Sequence, residues 1–247
     1  MRISIDQKVP AYKSYAAERT RGMYNVAAED GQRFQLDLEL PVEKDEWQIG
    51  MVVGPSGSGK SSTVRMLEKA GWKEWTGGRW PKDQPIIEVL GKKDYGKATS
   101  SLAAVGLGSV PSWLRPHHVL STGEQFRADM ASLLLSGEKQ VMLDEFTSVL
   151  DRQVAQVGAG AFAKSWRRKP GRRVILVTCH YDVVSFIEPD WLVDTAEGLD
   201  EFHSDRGVLR PQSGVKSVSD RERYPGPIIG VVKARKRKLI AYTKVSP

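Results

Sequence analysis

The stretch IGMVVGPSGSGKSSTVRMLEKAG, residues 49–71, constrains the fold more than any other. A continuous apolar run ends in glycine, as a strand buried on both faces does. A helical pattern follows, with Gly71 as its stop. Between them lies GPSGSGKSS, residues 54–62, which fits G-x-x-x-x-G-K-S in the strand–loop–helix context that marks a P-loop. Glycines let this backbone wrap closely around phosphates, with the amides of residues 57–61 turned inward. Gly54, Pro55, Ser56, Gly57, Ser58, Gly59 and Ser62 are the expected cradle. Lys60 supplies a charge to the β- and γ-phosphates, and the Ser61 hydroxyl is a candidate magnesium ligand.

The rest of the chain alternates strand and helix patterns, which argues for an α/β fold with a largely parallel central sheet. RFQLDLEL alternates with period two and reads as a strand. PIIEVL, residues 85–90, reads as a second short strand, with a weak helix at 100–105. QVMLDE and RVILVTCH read as strands on either side of a helix spanning about 151–168. Residues 1–20 read as a polar N-terminal arm, 21–206 as the main domain, and 207–247 as a linker with a basic extension.

Three further segments carry chemistry. VMLDE delivers Asp144, placed to hold magnesium, and Glu145, suited to polarise an attacking water. RVILVTCH places His180 at another strand end, where ligands gather in parallel sheets; it is a candidate γ-phosphate sensor. HVLSTGEQ contains a capping box, in which Ser121 accepts from the amide of Glu124 while Glu124 reaches back. Such a helix start is also a ready anion site.

The order GPSGSGKSS, LSTGEQ, VMLDE, SVLD, TCH resembles the ATP-binding cassette (ABC) ATPases over residues 20–205. The resemblance implies ATP with Mg²⁺ as cofactors and an ATP-dependent homodimer, in which Ser121, Gly123 and Glu124 of one chain meet the nucleotide held by another. It implies that Asp151 crosses the same interface. Tyr24 lies where the family often keeps an adenine-stacking aromatic, with plain core packing as the alternative. Two departures stand out: Thr122 replaces the first signature glycine, and Gln84, the glutamine between the P-loop and the signature, precedes PIIEVL rather than following it. Only 60 residues separate Lys60 from Ser121, which implies a reduced helical subdomain. SWLRPHHVLSTGEQFRA and TCHYDVVSFIEPDWLVD resemble stand-alone cassettes of bacteria and phages, some joined to an acetyltransferase-like domain. That implies a soluble ATP hydrolase acting as a switch on a protein or nucleic-acid partner, a separately encoded acetyltransferase-like enzyme among them. The alternative is the ATP-binding subunit of an ABC transporter.

Net charge is +7, much of it in SWRRKPGRR and KARKRK, which read either as solvated surface or as a nucleic-acid footprint. The seven tryptophans, three of them in GWKEWTGGRW, read as core packing or as a stacking platform for single strands. One cysteine, Cys179, excludes an intrachain disulfide. With no apolar run long enough to span a bilayer, the expected location is the cytoplasm.

Overall fold

The computed structural model describes residues 1–10, 12–25, 31–43, 47–195, 233–234 and 237–238. At its centre is a five-stranded sheet ordered β4-β5-β6-β3-β7. The strands are β3 (Ile49–Val53), β4 (Lys73–Glu74), β5 (Gln140–Leu143), β6 (Arg173–Thr178) and β7 (Trp191–Asp194), and every pairing is parallel. Helices cover the faces of such a sheet, so its strands read as unbroken apolar runs. All five residues of β3 are buried. The main helices are α2 (Lys60–Lys69), α6 (Thr122–Leu135) and α7 (Arg152–Arg167). α6 packs against α7 and against α4 (Tyr95–Ala104), which Asp94 caps by accepting the Lys97 N–H at 3.0 Å. The α/β architecture with a parallel sheet is the expected one.

Residues 1–20 are not an arm. Arg2–Pro10 forms β1, which pairs antiparallel with β2 (Gly31–Glu39) from Arg2↔Glu39 to Pro10↔Gly31. Ile3 and Ile5 alternate inward with Leu36 and Leu38 and are buried with them, so period-two alternation is present in RISIDQ but too brief to stand out. Between these strands, α1 (Tyr15–Tyr24) is closed by the Ser14 side chain and by Asn25 in the left-handed conformation.

PIIEVL is not a strand either. Ile86–Gly91 is α3, with Ile86 and Ile87 buried beside α4 and α6. A six-residue run that is apolar except for Glu88 suits both periods, and here packing between helices decides. The linker and basic extension expected at 207–247 lie outside the described residues, apart from a two-residue antiparallel pairing of Lys233–Ala234 (β8) with Arg237–Lys238 (β9).

Most cations of SWRRKPGRR are tied to main-chain carbonyls, although Arg168, Lys169, Pro170 and Gly171 are exposed. Arg172 donates to the carbonyls of Leu133, Leu134 and Glu138 at 2.7–3.1 Å and lies 3.9 Å over the Trp166 ring. It thereby satisfies orphan carbonyls at the C-terminus of α6. Lys169 donates to Leu134 O, Arg167 to the carbonyls of Ile187 and Glu188, and Arg173 to Val42 O. These four cations are thereby engaged with main-chain carbonyls. The tryptophans are likewise packed. Trp47 stacks on Trp72 at 5.6 Å and meets Trp191 edge-on at 5.3 Å. A Cβ at Gly50 would fall 2.0 Å from the Trp191 ring, so only glycine fits there. This cluster closes the N-terminal edge of the sheet, opposite the motif-bearing edge.

Removing the Arg172 guanidinium takes a donor from Leu133 O and Leu134 O, which keep Ser136 and Lys169, and from Glu138 O just beyond α6, and it removes a cation packed over Trp166. Arg172→Ala should cost about 2–4 kcal/mol, and the exposed Arg168→Ala within about 0.5 kcal/mol, measured as shifts of urea midpoint.

Candidate functional site

Because β3, β5, β6 and β7 run in one direction, the chain leaves each at the same edge. Gly54, Asp144, His180 and Thr195 all follow strand ends there. Gly57 and Gly59 take φ of 80° and 92°, which a glycine adopts without steric cost. Gly59 is the N-cap of α2, and the helix start carries no side-chain cap and no acidic residue in its first turn. Its unsatisfied N–H groups form the kind of end that binds anions. Lys60 is buried and turns its ammonium back over the loop to Pro55 O at 2.8 Å. Pro55, Ser56, Gly57 and Ser61 are exposed and Ser62 is half-buried.

The loop is held from both sides by residues that no motif marks. Ser58 Oγ lies 2.5 Å from Thr195 Oγ1 and donates to Pro55 O at 2.8 Å. A Cβ on Gly54 would fall 1.9 Å from Thr195 Oγ1. On the other side, a Cβ on Gly59 would meet Leu36 and Phe34 of β2 at 2.6 and 2.7 Å. Phe34, half-buried against the cradle, stands closer to it than sequence reasoning foresaw. Tyr24 is 72% exposed, which removes the core-packing alternative for it.

Asp144 accepts the Glu145 N–H at 2.8 Å. Burial, with the charges of Asp144 and Glu68, raises the carboxyl pKa of Glu74 at the end of β4. Two residues near Asp144 are left-handed, Glu145 at φ 49° and the buried, β-branched Thr147 at 66°. Such conformations are costly, and they cluster at functional sites. Thr147 Oγ1 lies 3.5 Å from His180 Nδ1. Burial lowers the His180 pKa first, then the Arg152 charge; Asp182 and Glu145 act in the opposite sense and Lys60 adds to the lowering. Glu145, Lys60 and His180 therefore share one electrostatic environment.

The LSTGEQ residues form a separate cluster. Ser121 and Glu124 make the expected capping box on α6. Glu124 Oε2 accepts from the Ser121 N–H and hydroxyl, and Oε1 accepts from Ser112 Oγ at 2.6 Å. Both oxygens of Glu124 are thus engaged within this helix end. Gly123 packs on α7, where a Cβ would reach Val154 at 3.0 Å. Asp151 caps α7, accepting the Gln153 N–H at 3.0 Å. Gln84 lies between β4 and α3 in the chain, next to the Pro85↔Pro116 bridge. β4 itself is followed by Trp75, Thr76 and Gly77. This segment is fastened to α6 by Asp129, which accepts from Gly78 N at 3.0 Å and Trp80 Nε1 at 2.6 Å and pairs with His117. Trp80 stacks on His117 at 4.8 Å.

The residues fit ATP and magnesium. The uncapped start of α2 and its glycines suit phosphates, and Ser61 with Asp144 suits an ion that takes only one or two protein oxygens. No group of three or more His, Cys, Asp or Glu side chains able to hold a metal occurs among the described residues.

The chain is 32% identical to a nickel import ATP-binding protein, NikO, of Rhodobacter capsulatus, over 44% of this chain and 39% of that one. It is 32% identical to a cytochrome c biogenesis ATP-binding export protein, CcmA, of Mesorhizobium japonicum, over 48% of this chain and 73% of that one. The chain thus spans well under half the length of the first relative and about three quarters of the second. A dimeric bacterial ABC transporter cassette superposes with a TM-score of 0.49, at 15% identity, over 77% of this chain and 94% of that one. No family model matches the chain.

The Glu124 carboxyl is lowered to about 2, first by the Ser112 hydroxyl and then by Ser121. A depressed carboxyl stabilises the fold above its unfolded pKa and loses that contribution as pH falls through its folded one. Between about pH 5 and pH 2, the wild type should therefore lose stability more steeply than Glu124→Gln, compared by urea unfolding at stepped pH.

Proposed function

The chain belongs to the ATP-binding cassette ATPases, and from that premise we propose that it hydrolyses ATP in a homodimer that sandwiches two nucleotides. The observation that carries this reading is the uncapped start of α2, lined by glycines, beside a strand edge that also bears Asp144, Glu145 and His180.

In this reading the P-loop amides and the Lys60 ammonium hold the β- and γ-phosphates, Lys60 leaving Pro55 O to do so. Ser61 and Asp144 would hold Mg²⁺, which neutralises charge on the phosphates when bound. Glu145, one residue beyond Asp144, accepts a proton from the attacking water. His180 donates to the γ-phosphate. Ser121 and the Gly123 amide reach the nucleotide of the neighbouring chain, and Asp151 lies on the same contact. Phe34, against Gly59, supplies an apolar wall beside the nucleotide, and Tyr24 remains a candidate for the base. The main ATPase unit is residues 21–206 together with β1.

What the hydrolysis drives is the finer part of the proposal. The short span from Lys60 to Ser121, with the small helices α3, α4 and α5 (Val110–Trp113), supports a cytoplasmic switch on a partner protein. The separate acetyltransferase-like enzyme and nucleic acid remain candidate partners, although most cations of the run at 165–173 are tied to main-chain carbonyls. The names of both relatives favour a second reading, the ATP-binding subunit of a transporter. Among the described residues no helix is long and apolar enough to cross a membrane. Co-purification with a membrane protein would favour that reading over the switch.

Lys60→Ala should weaken ATP binding by about 1.5–3 kcal/mol, read by calorimetry. Glu145→Gln should keep ATP binding and lose most of the turnover. In sedimentation, that variant with ATP should run as a dimer, and Ser121→Arg should keep it monomeric. Unchanged affinity in the first variant, or near-normal turnover in the second, rejects the assignment.

A further inference from the structure

His180 is braced from several elements. Its N–H donates to Thr178 Oγ1 at 3.1 Å, and its Nδ1 faces Thr147 Oγ1 on the loop that carries Glu145. The next residue, Tyr181, donates its hydroxyl to Asp194 Oδ1 at the end of β7. The one after, Asp182, receives three donors from a single helix face. Arg152 Nε donates to Oδ2 at 3.1 Å and Nη2 to Oδ1 at 2.5 Å, while Gln156 Nε2 donates to Oδ2 at 2.8 Å. Arg152 and Gln156 stand four apart on α7, so both reach one carboxylate. Arg152 also directly follows Asp151, the cap of α7 and the last residue of SVLD.

We propose that the Arg152–Asp182 pair positions His180 and locks it to the SVLD segment, so that the γ-phosphate contact and the chain-to-chain contact move as one unit. The inference deepens the proposed ATPase and rests on it. A two-pronged guanidinium–carboxylate contact fixes orientation as well as distance, which a single hydrogen bond cannot. With Nδ1 turned to Thr147, Nε2 is the ring nitrogen left for the phosphate. The charged groups facing the imidazole are Arg152 from α7, Asp182 from the turn after β6, Glu145 from the loop after β5, and Lys60 from α2. The pair therefore also balances charge beside a ring that must stay neutral at working pH.

The test is the pH profile of ATP turnover for wild type, Arg152→Gln, Arg152→Lys and Asp182→Asn, with ATP affinity and urea midpoint of each. Arg152→Gln and Asp182→Asn should each lower kcat about tenfold or more, with KM within about twofold, because the ring is misplaced rather than the nucleotide lost. The acid limb should move up in Arg152→Gln, which loses the cation and leaves Asp182 unneutralised. It should move down in Asp182→Asn, where the cation stays and the carboxylate is gone. Arg152→Lys, which keeps charge but not the fork, should hold the acid limb in place while kcat stays low. In a His180→Ala background the same substitutions should add nothing. An unchanged kcat, or an equal loss in the His180→Ala background, overturns the proposal. Wild-type protein that binds ATP without any Glu145-dependent turnover overturns the ATPase reading instead. In that event the NMR titration of His180 still tests the pair: absence of the opposed shifts rejects it.

Discussion

The fold turns on how tightly a phosphate-binding loop can be enclosed. Gly54 admits the Thr195 hydroxyl to within 1.9 Å of where a Cβ would stand, and Gly59 admits Phe34 and Leu36. One contact comes from the end of the parallel sheet and the other from the antiparallel pair β1–β2. The loop is therefore the place where the two sheets meet. A side chain larger than hydrogen at either glycine would push them apart. Ser58 adds a hydrogen bond to the same Thr195, so the loop keeps its shape through its own neighbours.

A second connection runs behind the motif-bearing edge. Phe126 of α6 meets Phe146, the residue after Glu145, at 5.5 Å; Phe146 meets Phe162 of α7 at 6.1 Å; Phe162 meets Trp166 at 5.6 Å, and Arg172 caps the column. Each such ring pair contributes roughly 0.5–1.5 kcal/mol beyond area burial. The column joins the helix that begins at LSTGEQ to the loop that holds Glu145 and the strained Thr147. Strain of that kind persists only where the surroundings over-determine it.

The P-loop, the strands before Asp144 and His180, and the capped start of α6 were legible in the sequence because motif and periodicity agree there. β1 and α3 were misread for the same reason in reverse: each is a short apolar pattern whose partner decides its form. Thr195 and Phe34 carried no signal, since each acts by contact with a loop distant along the chain. The basic run at 165–173 shows the limit of counting charges. Whether a cation faces solvent or closes a helix depends on where α6 ends, which composition does not encode. Arg152 and Asp182 were invisible singly and meaningful only as a pair.

The order β4-β5-β6-β3-β7 carries one more consequence, for how the protein is made. β3 bonds to β6 and β7 and to neither strand beside it in the chain. During synthesis, Ile49–Val53 would leave the ribosome as an apolar segment whose partners, at residues 173–178 and 191–194, have not yet been translated. At about 5–20 residues per second, that wait lasts several seconds or more. Loop closures this long also slow folding itself. Until those partners emerge, Ile49–Val53 stays an apolar strand without its neighbours, the kind of exposed segment that makes a folding chain prone to aggregate.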